Sequence, residues 1–249
     1  MSCSRAEVEK RCPNSIALRG FRIWCGAGRH VTSNIVRDEI QLTAYDNVFA
    51  ADGVPPLFDG PWVAEIPASQ IAERYAGWER DLTDLLHIPK VASRWAVHVV
   101  APLPAFAMER VCLIGDAAHA MTPHQGLGGG QGIEDAYILA RLLEDPRTTV
   151  SALPHALKVY DAIRRPASQM VSRQSLANGL TYGFFGTQVR DSSLSEIGGE
   201  LIASCRWLLD ERGAEKEWVK AESAFGAALK HCGDDLAFPG ALPYTGVSK

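Results

Sequence analysis

Between Arg110 and Asp135 the chain strings together residue types suited to holding a large polar ligand. An apolar run, Val111 to Ile114, leads into Gly115 and Asp116; Pro123 follows, then glycines at 126, 128, 129, 130 and 132, then Glu134 and Asp135. A carboxylate at the carboxyl end of a buried strand, as Asp116 would be, can accept hydrogen bonds from sugar or polyol hydroxyls. The glycines let backbone N–H groups approach a ligand with no Cβ in the way. Just ahead of a helix, those N–H groups and the helix dipole favour negative charge. Pro123 adds a flat, rigid surface without a donor. Any one of these glycines would suit a flexible loop equally well; the signal lies in the ordered set.

The elements that must position this segment follow from periodicity. Residues 1–15 are polar and predict a loose start. Ile16 to Cys25 and His30 to Arg37 read as strands separated by Gly26-Ala27-Gly28, which sets His30, Thr32 and Asn34 on one face. Ile40 to Ala50 alternates, with Ile40, Leu42 and Ala44 against Gln41, Thr43 and Tyr45, as in a half-buried antiparallel strand. Gly53 and Pro55-Pro56 break that pattern. Ser69 is the expected N-cap of a helix running to His87 and closed by Pro89, with Ile71, Tyr75, Trp78, Leu82, Leu85 and Leu86 at helical spacing. Arg94 to Val100 reads as a strand ended by Pro102 and Pro104.

Val111 to Ile114, apolar at every position, predicts a strand covered on both faces, as in a parallel sheet. A loop of roughly fifteen residues then leads to a helix over Gly132 to Glu144. In that helix Ile133, Ala136, Tyr137 and Ala140 share a side, and Glu134 and Asp135 sit in the first turn, where the macrodipole favours acids. The remainder reads as helical. Ala156, Val159, Tyr160 and Ile163 form a stripe stopped by Pro166, and a further segment runs to Leu180. Leu201, Cys205 and Leu208 mark one more helix, Trp218, Ala221 and Phe225 another, and Pro239 to Lys249 form a loose tail.

Composition narrows the function classes. The 249 residues carry 25 basic and 29 acidic side chains, a net charge of −4. No basic block stands out, which argues against nucleic acid as a partner. Six scattered cysteines without a C-x-x-C pair argue against a zinc site or a disulfide framework. Asp116, His119 and His124 lack any metal-binding pattern, so no metal is expected. With no apolar leader and no apolar run of membrane-spanning length, the reading is a soluble cytoplasmic protein.

Gly115-Asp116-Ala117-Ala118-His119, Pro123-His124-Gln125-Gly126, Gly128 and Glu134-Asp135-Ala136 resemble the second flavin-binding motif of the group A FAD-dependent aromatic monooxygenases, of the salicylate hydroxylase type. Trp24 to His30 is similar to that family's substrate-sheet strand, Arg94-Trp95-Ala96 to a later strand, and Tyr160-Asp161 with Arg164-Arg165-Pro166 to the helix after the flavin loop. Trp207-Leu208-Leu209-Asp210 is similar to the closing region of fungal members. The resemblance implies FAD as cofactor, NAD(P)H as co-substrate, O2 and a small phenolic or related aromatic substrate, with hydroxylation through a flavin hydroperoxide. It places Asp116, after Gly115, on the ribityl chain, Pro123 beside the isoalloxazine, and the backbone of Gly126, Gly128, Gly129 and Gly130 at the flavin pyrimidine edge. It makes His30 the acid–base residue, with Asn34 and His98 as substrate contacts. A phenol with a pKa near 10 must become phenolate-like before its ring attacks an electrophilic oxygen, and a histidine can take that proton.

The pattern departs from the family at Asn34-Ile35, where Tyr-Pro is usual, at His98 to Ala101, where an Asp-Arg pair is common, and at Phe106, which replaces a frequent tryptophan. No Gly-x-Gly-x-x-Gly turn lies upstream to hold the ADP half of a dinucleotide, and the family's middle Asp-Gly motif has no counterpart. The expected fold is therefore mixed α/β, an incomplete flavin hydroxylase-type fold. Residues 1–107 would form a partial substrate-binding sheet domain with one helix, 108–145 the C-terminal strand–loop–helix of the FAD domain, and 146–249 a helical region. The alternative is a truncated, non-catalytic relative with residual or no flavin binding. The sequence leaves the oligomeric state open.

Overall fold

The structure, a computed structural model, describes residues 1–47, 58–185, 192–209 and 213–231. Val48 to Ala50, Gly53, Pro55-Pro56, Asp210, Cys232 and the tail from Pro239, all used in the reading above, lie outside the described residues. The chain divides into two compact units, one of Met1–Val99, Ala120–Leu127 and Val171–Trp207, the other of Val100–His119, Gly128–Met170 and Leu208–Lys249.

The first unit is built on an antiparallel sheet of strands β1 (Ser2–Ser4), β2 (Arg22–Gly26), β3 (Arg29–Val36) and β4 (Glu39–Asp46), in the order β1-β4-β3-β2. The expected alternation holds in β4, where Ile40 and Leu42 are buried while Gln41 and Thr43 face water. The start of the chain is not loose: β1 pairs with β4, and helix α1 (Arg5–Arg11) is capped by Ser4, whose side chain accepts the Glu7 N–H at 3.2 Å. The overlooked signal was Ser4-x-x-Glu7, a helix-start pattern that polarity alone conceals. Ile16–Arg19 is a 3-10 turn rather than the beginning of a strand, because Ser15 Oγ accepts the Ala17 N–H and caps it.

The helix expected over Ser69 to His87 is two, α2 (Ser69–Arg74) and α3 (Arg80–Leu86), and α2 is preceded by Ala68 without a side-chain cap. Gly77 lies between them at φ 84°, a conformation that no helix continues through. The apolar spacing survives the break, since Tyr75, Leu82, Leu85 and Leu86 are all buried with Trp24, Val31, Ile40 and Leu42 in one core. A two-stranded ribbon of β5 (Val63–Pro67) and β6 (Val91–Trp95) and helix α7 (Leu194–Leu209) complete the described elements here.

The second unit corrects the buried-strand expectation. Only Val111 and Cys112 form a strand, β8, paired antiparallel with β7 (Ala107–Met108), and Val111 is 68% and Met108 77% exposed. Apolarity can be read from sequence, whereas two-sided burial needs flanking strands, and among the described residues β8 pairs with β7 alone. Helix α4 (Asp116–His119) follows, and α5 (Gly128–Glu144) begins four residues earlier than expected. Gly128 to Gly130 thus form its first turn, and Glu134 and Asp135 lie in its second. Its buried face is Gln131, Asp135, Ile138 and Leu142, while Ile133, expected inside, is 73% exposed. Polar side chains that find partners displaced the apolar stripe. Helix α6 (Leu153–Tyr182) runs through Pro166 instead of stopping there, its later part, from Val171, being assigned to the first unit. Ile138, Leu142, Ala156, Val159 and Tyr160 pack with Trp218, Ala221 and Phe225 of α8 (Ala214–His231). No described helix is long and apolar enough to cross a membrane.

Candidate functional site

In the second unit the chain turns sharply after β8. Gly115 adopts φ 57°, and its carbonyl accepts N–H groups from Ala118 at 2.9 Å and His119 at 3.0 Å. Asp116 follows immediately and is exposed, and no hydrogen bond or ion pair engages its carboxylate among the described residues. Behind the turn sits a network of charges. Asp135 Oδ2 accepts the Gly115 N–H at 3.0 Å and lies 2.6 Å from His119 Nε2, while Oδ1 accepts Arg164 Nε at 2.8 Å. The Arg164 side chain is wholly buried; it also meets Glu134 at 2.9 Å, Glu217 of α8, and the Gln131 side-chain oxygen at 2.9 Å. Burial alone would raise the Asp135 pKa, but the hydrogen bonds from His119, Arg164 and the Gly115 N–H outweigh it and hold the carboxyl below the usual range. Burial, with the Glu217 charge, raises Glu134 despite Arg164.

In the first unit, His30 is fully buried on β3. Its ring stacks on Tyr45 at 4.2 Å between centroids and lies 5.1 Å from both His124 and Tyr182. The Tyr75 hydroxyl fixes the adjoining backbone by donating to the carbonyls of His30 at 3.2 Å and Tyr45 at 2.7 Å. Among the described residues neither ring nitrogen of His30 meets a hydrogen-bonding partner, and the same is true of His124 Nδ1, both amide atoms of Gln125 and Asn178 Nδ2. Burial, reinforced by the nearby His124, lowers the His30 pKa to about 3; burial lowers that of His124 to about 4. Both rings are therefore neutral at pH 7. Pro123, just before His124, opens a 3-10 segment that Gly126 closes at φ 68°.

The sequence-predicted residues fall unevenly. His124, to which the sequence analysis assigns no role of its own, joins His30. Asn34 is exposed four residues along β3, and His98 is exposed with its ring 4.2 Å from Trp62; neither is among the ring neighbours of His30. Among the described residues no group of three or more His, Cys, Asp or Glu could hold a metal ion. Arg164 was missed as a partner of Asp135, although Tyr160, Arg164 and Ser168 recur every four residues on a buried stripe. An arginine in such a stripe demands carboxylates.

The residues present suit a large polar cofactor. An unengaged carboxylate stands at Asp116, and the open first-turn N–H groups of α5 lie at Gly129 and Gly130, where an added Cβ would meet nothing within 4 Å. In the other unit the same openness holds at Gly126. Within the second unit, the Asp116 carboxylate and these α5 N–H groups match hydroxyls and an anionic heterocycle edge.

A family pattern described as "FAD binding domain" matches residues 80–175. Two relatives from Pseudomonas putida, each named salicylate hydroxylase, are 43% identical over 149 residues and 45% identical over 154 residues, covering 59% and 60% of this chain. Those alignments take in 33% and 34% of the relatives, so the chain matches about a third of their length. A solved structure described as a salicylate hydroxylase substrate complex superposes with a TM-score of 0.80 at 30% identity, covering 88% of this chain and 55% of that one. The mixed helix-and-sheet fold thus matches a flavin hydroxylase over most of its extent. Over the portion that it spans, the chain is similar in sequence and in fold to FAD-dependent aromatic monooxygenases of the salicylate hydroxylase type.

Proposed function

We propose that this chain serves FAD-dependent hydroxylation of a phenolic or related aromatic compound, with NAD(P)H as reductant and O2 as oxygen donor, in the cytoplasm. The observation that carries the reading is His30: fully buried, ringed by Tyr45, His124 and Tyr182, with both ring nitrogens unpartnered among the described residues. Buried polar atoms are rarely left without partners, and those that are call for a reason such as a ligand. The relatives named salicylate hydroxylase support an aromatic hydroxyl as that partner.

Bound FAD, once reduced, would supply the activation of oxygen. The residues of this chain bind and orient. Asp116, presented by the Gly115 turn, accepts from the ribityl hydroxyls; Pro123 and the N–H groups of Gly126, Gly128, Gly129 and Gly130 meet the ring system. His30, neutral at working pH, accepts the hydrogen bond of a phenol O–H and draws electron density toward the ring. Its lowered basicity favours a shared proton until phenolate charge develops beside it. Asn34 and His98 are proposed as outer substrate contacts on the resemblance.

The test is an FAD titration of the purified chain followed by flavin fluorescence, with Asp116→Ala as control, then aromatic-dependent NAD(P)H oxidation with His30→Asn. Saturable binding lost in Asp116→Ala, and turnover lost in His30→Asn, are expected. A folded chain that leaves flavin fluorescence unchanged would overturn the reading. That result would favour the second one, a non-catalytic relative, which the exposure of Val111 and Met108 supports.

A further inference from the structure

The carboxylate network behind the Gly115 turn plays no part in the chemistry proposed above, yet it is costly to bury. Arg164 and Asp135 have fully buried side chains, and Glu217 is largely buried. Desolvating charges is repaid only where geometry is good and the remaining donors and acceptors are satisfied. Here they are: Arg164 gives Nε to Asp135, Nη1 to Glu134 and Glu217, and Nη2 to Gln131. With Oδ1 occupied by the arginine, Asp135 has one orientation, and its other oxygen faces β8 and α4. That oxygen takes both the Gly115 N–H and His119 Nε2, so one atom ties the first and last residues of the Gly115–His119 turn. An ionised carboxylate only accepts, which puts the His119 proton on Nε2.

The backbone closes from the other side as well. A Cβ at Gly132 would stand 3.4 Å from Gly115 Cα, so the second turn of α5 lies directly against the turn. Asp116 is the next residue along. A carboxylate that must meet polyol hydroxyls has to be held to a fraction of an ångström, and side chains held by a second layer of bonds achieve that.

We propose that Asp135, oriented by Arg164, is the positioning residue of the Gly115–Asp116 turn: it fixes the turn by accepting from the Gly115 N–H and His119, and so sets Asp116 for the flavin. The proposal rests on the FAD reading for its purpose, and on the chain's own geometry for its substance. Asp135 touches no reactant in it. It acts through Asp116.

The test joins amide exchange to flavin binding on the purified chain. The Gly115 N–H has a side-chain acceptor, Asp135, and sits in no backbone ladder bond. In the wild type it should exchange about tenfold or more slowly than an unprotected amide. Asp135→Asn, which cannot accept from both donors while facing Arg164, should remove that protection and weaken FAD binding about tenfold. Phe225→Leu, a core change in the same unit, should lower Tm while leaving FAD affinity within about twofold, which separates positioning from mere stability. A Gly115 amide that exchanges freely in the wild type overturns the proposal, and this arm decides the matter even if Asp135→Asn fails to fold. Retained protection in Asp135→Asn, or FAD loss that follows Tm equally in both variants, also overturns it. A wild-type chain that takes up no FAD overturns the flavin reading alone, and Gly115 exchange still decides whether Asp135 fixes the turn.

Discussion

A histidine whose ring nitrogens meet no partner cannot carry charge inside a protein without a large desolvation cost. For His30 and His124 the folded pKa values, about 3 and about 4, lie below the ordinary 6.5. As pH falls below 6.5 the unfolded chain therefore takes up protons that the folded chain refuses. Their stabilising effect is complete above 6.5 and is lost as acid approaches the folded values, by at most about 1.4 kcal/mol per pH unit for each ring. The urea midpoint should be lower at pH 5 than at pH 7.5, and His30→Asn should remove about half of that difference; an unchanged difference would place the proton uptake elsewhere. Asp135, held below the usual carboxylate range, loses its own contribution only in more acid solution, so it adds little to the difference between pH 5 and pH 7.5. His30 became a candidate through the resemblance of Trp24 to His30 to the family's substrate-sheet strand, which carries nothing about its neutrality. That follows from Tyr45, His124 and Tyr182, residues far apart in sequence that close around it.

Among the elements, α6 shows how a single residue admits an approach that periodicity does not register. Gly179 lies where a Cβ would stand 2.1 Å from the His124 ring, a distance that real side chains do not tolerate. Gly179→Ala should force that ring out of the His30 cluster and cost about 1–3 kcal/mol, as overpacking does. Gly129→Ala, with nothing within 4 Å, should change stability by less than about 1 kcal/mol. Comparing the two urea midpoints checks this, and equal effects would contradict the packing argument. The helices were largely legible because apolar residues at i, i+3 and i+4 report a face that must be buried, as Trp218, Ala221 and Phe225 do. Their ends were less so: Ser4 capping α1 and Gly77 dividing α2 from α3 are local events that leave the stripe intact.

At the scale of the whole molecule, the paired stretch Met108 and Val111, continuing into the exposed Leu113 and Ile114, presents apolar side chains on a two-stranded edge. Exposed apolar edges recruit other chains. Light scattering of the purified chain should rise with concentration, and Val111→Lys should suppress that rise without altering helix content. A wild-type chain that stays monomeric at high concentration would show that this edge is harmless.

By itself the sequence determined the mixed α/β class, the resemblance to flavin hydroxylases, and the Gly115–Asp116 and glycine segment on which that resemblance stands. These are matters of residue type and short spacing, and short-range backbone preferences follow from them. Tertiary structure alone decided that Asp135 turns inward to Arg164 rather than serving a helix dipole, that Val111 lies open, and that His30 meets His124. Each depends on which distant groups arrive to satisfy a charge, cover a strand or exclude water, and spacing along the chain does not carry that information.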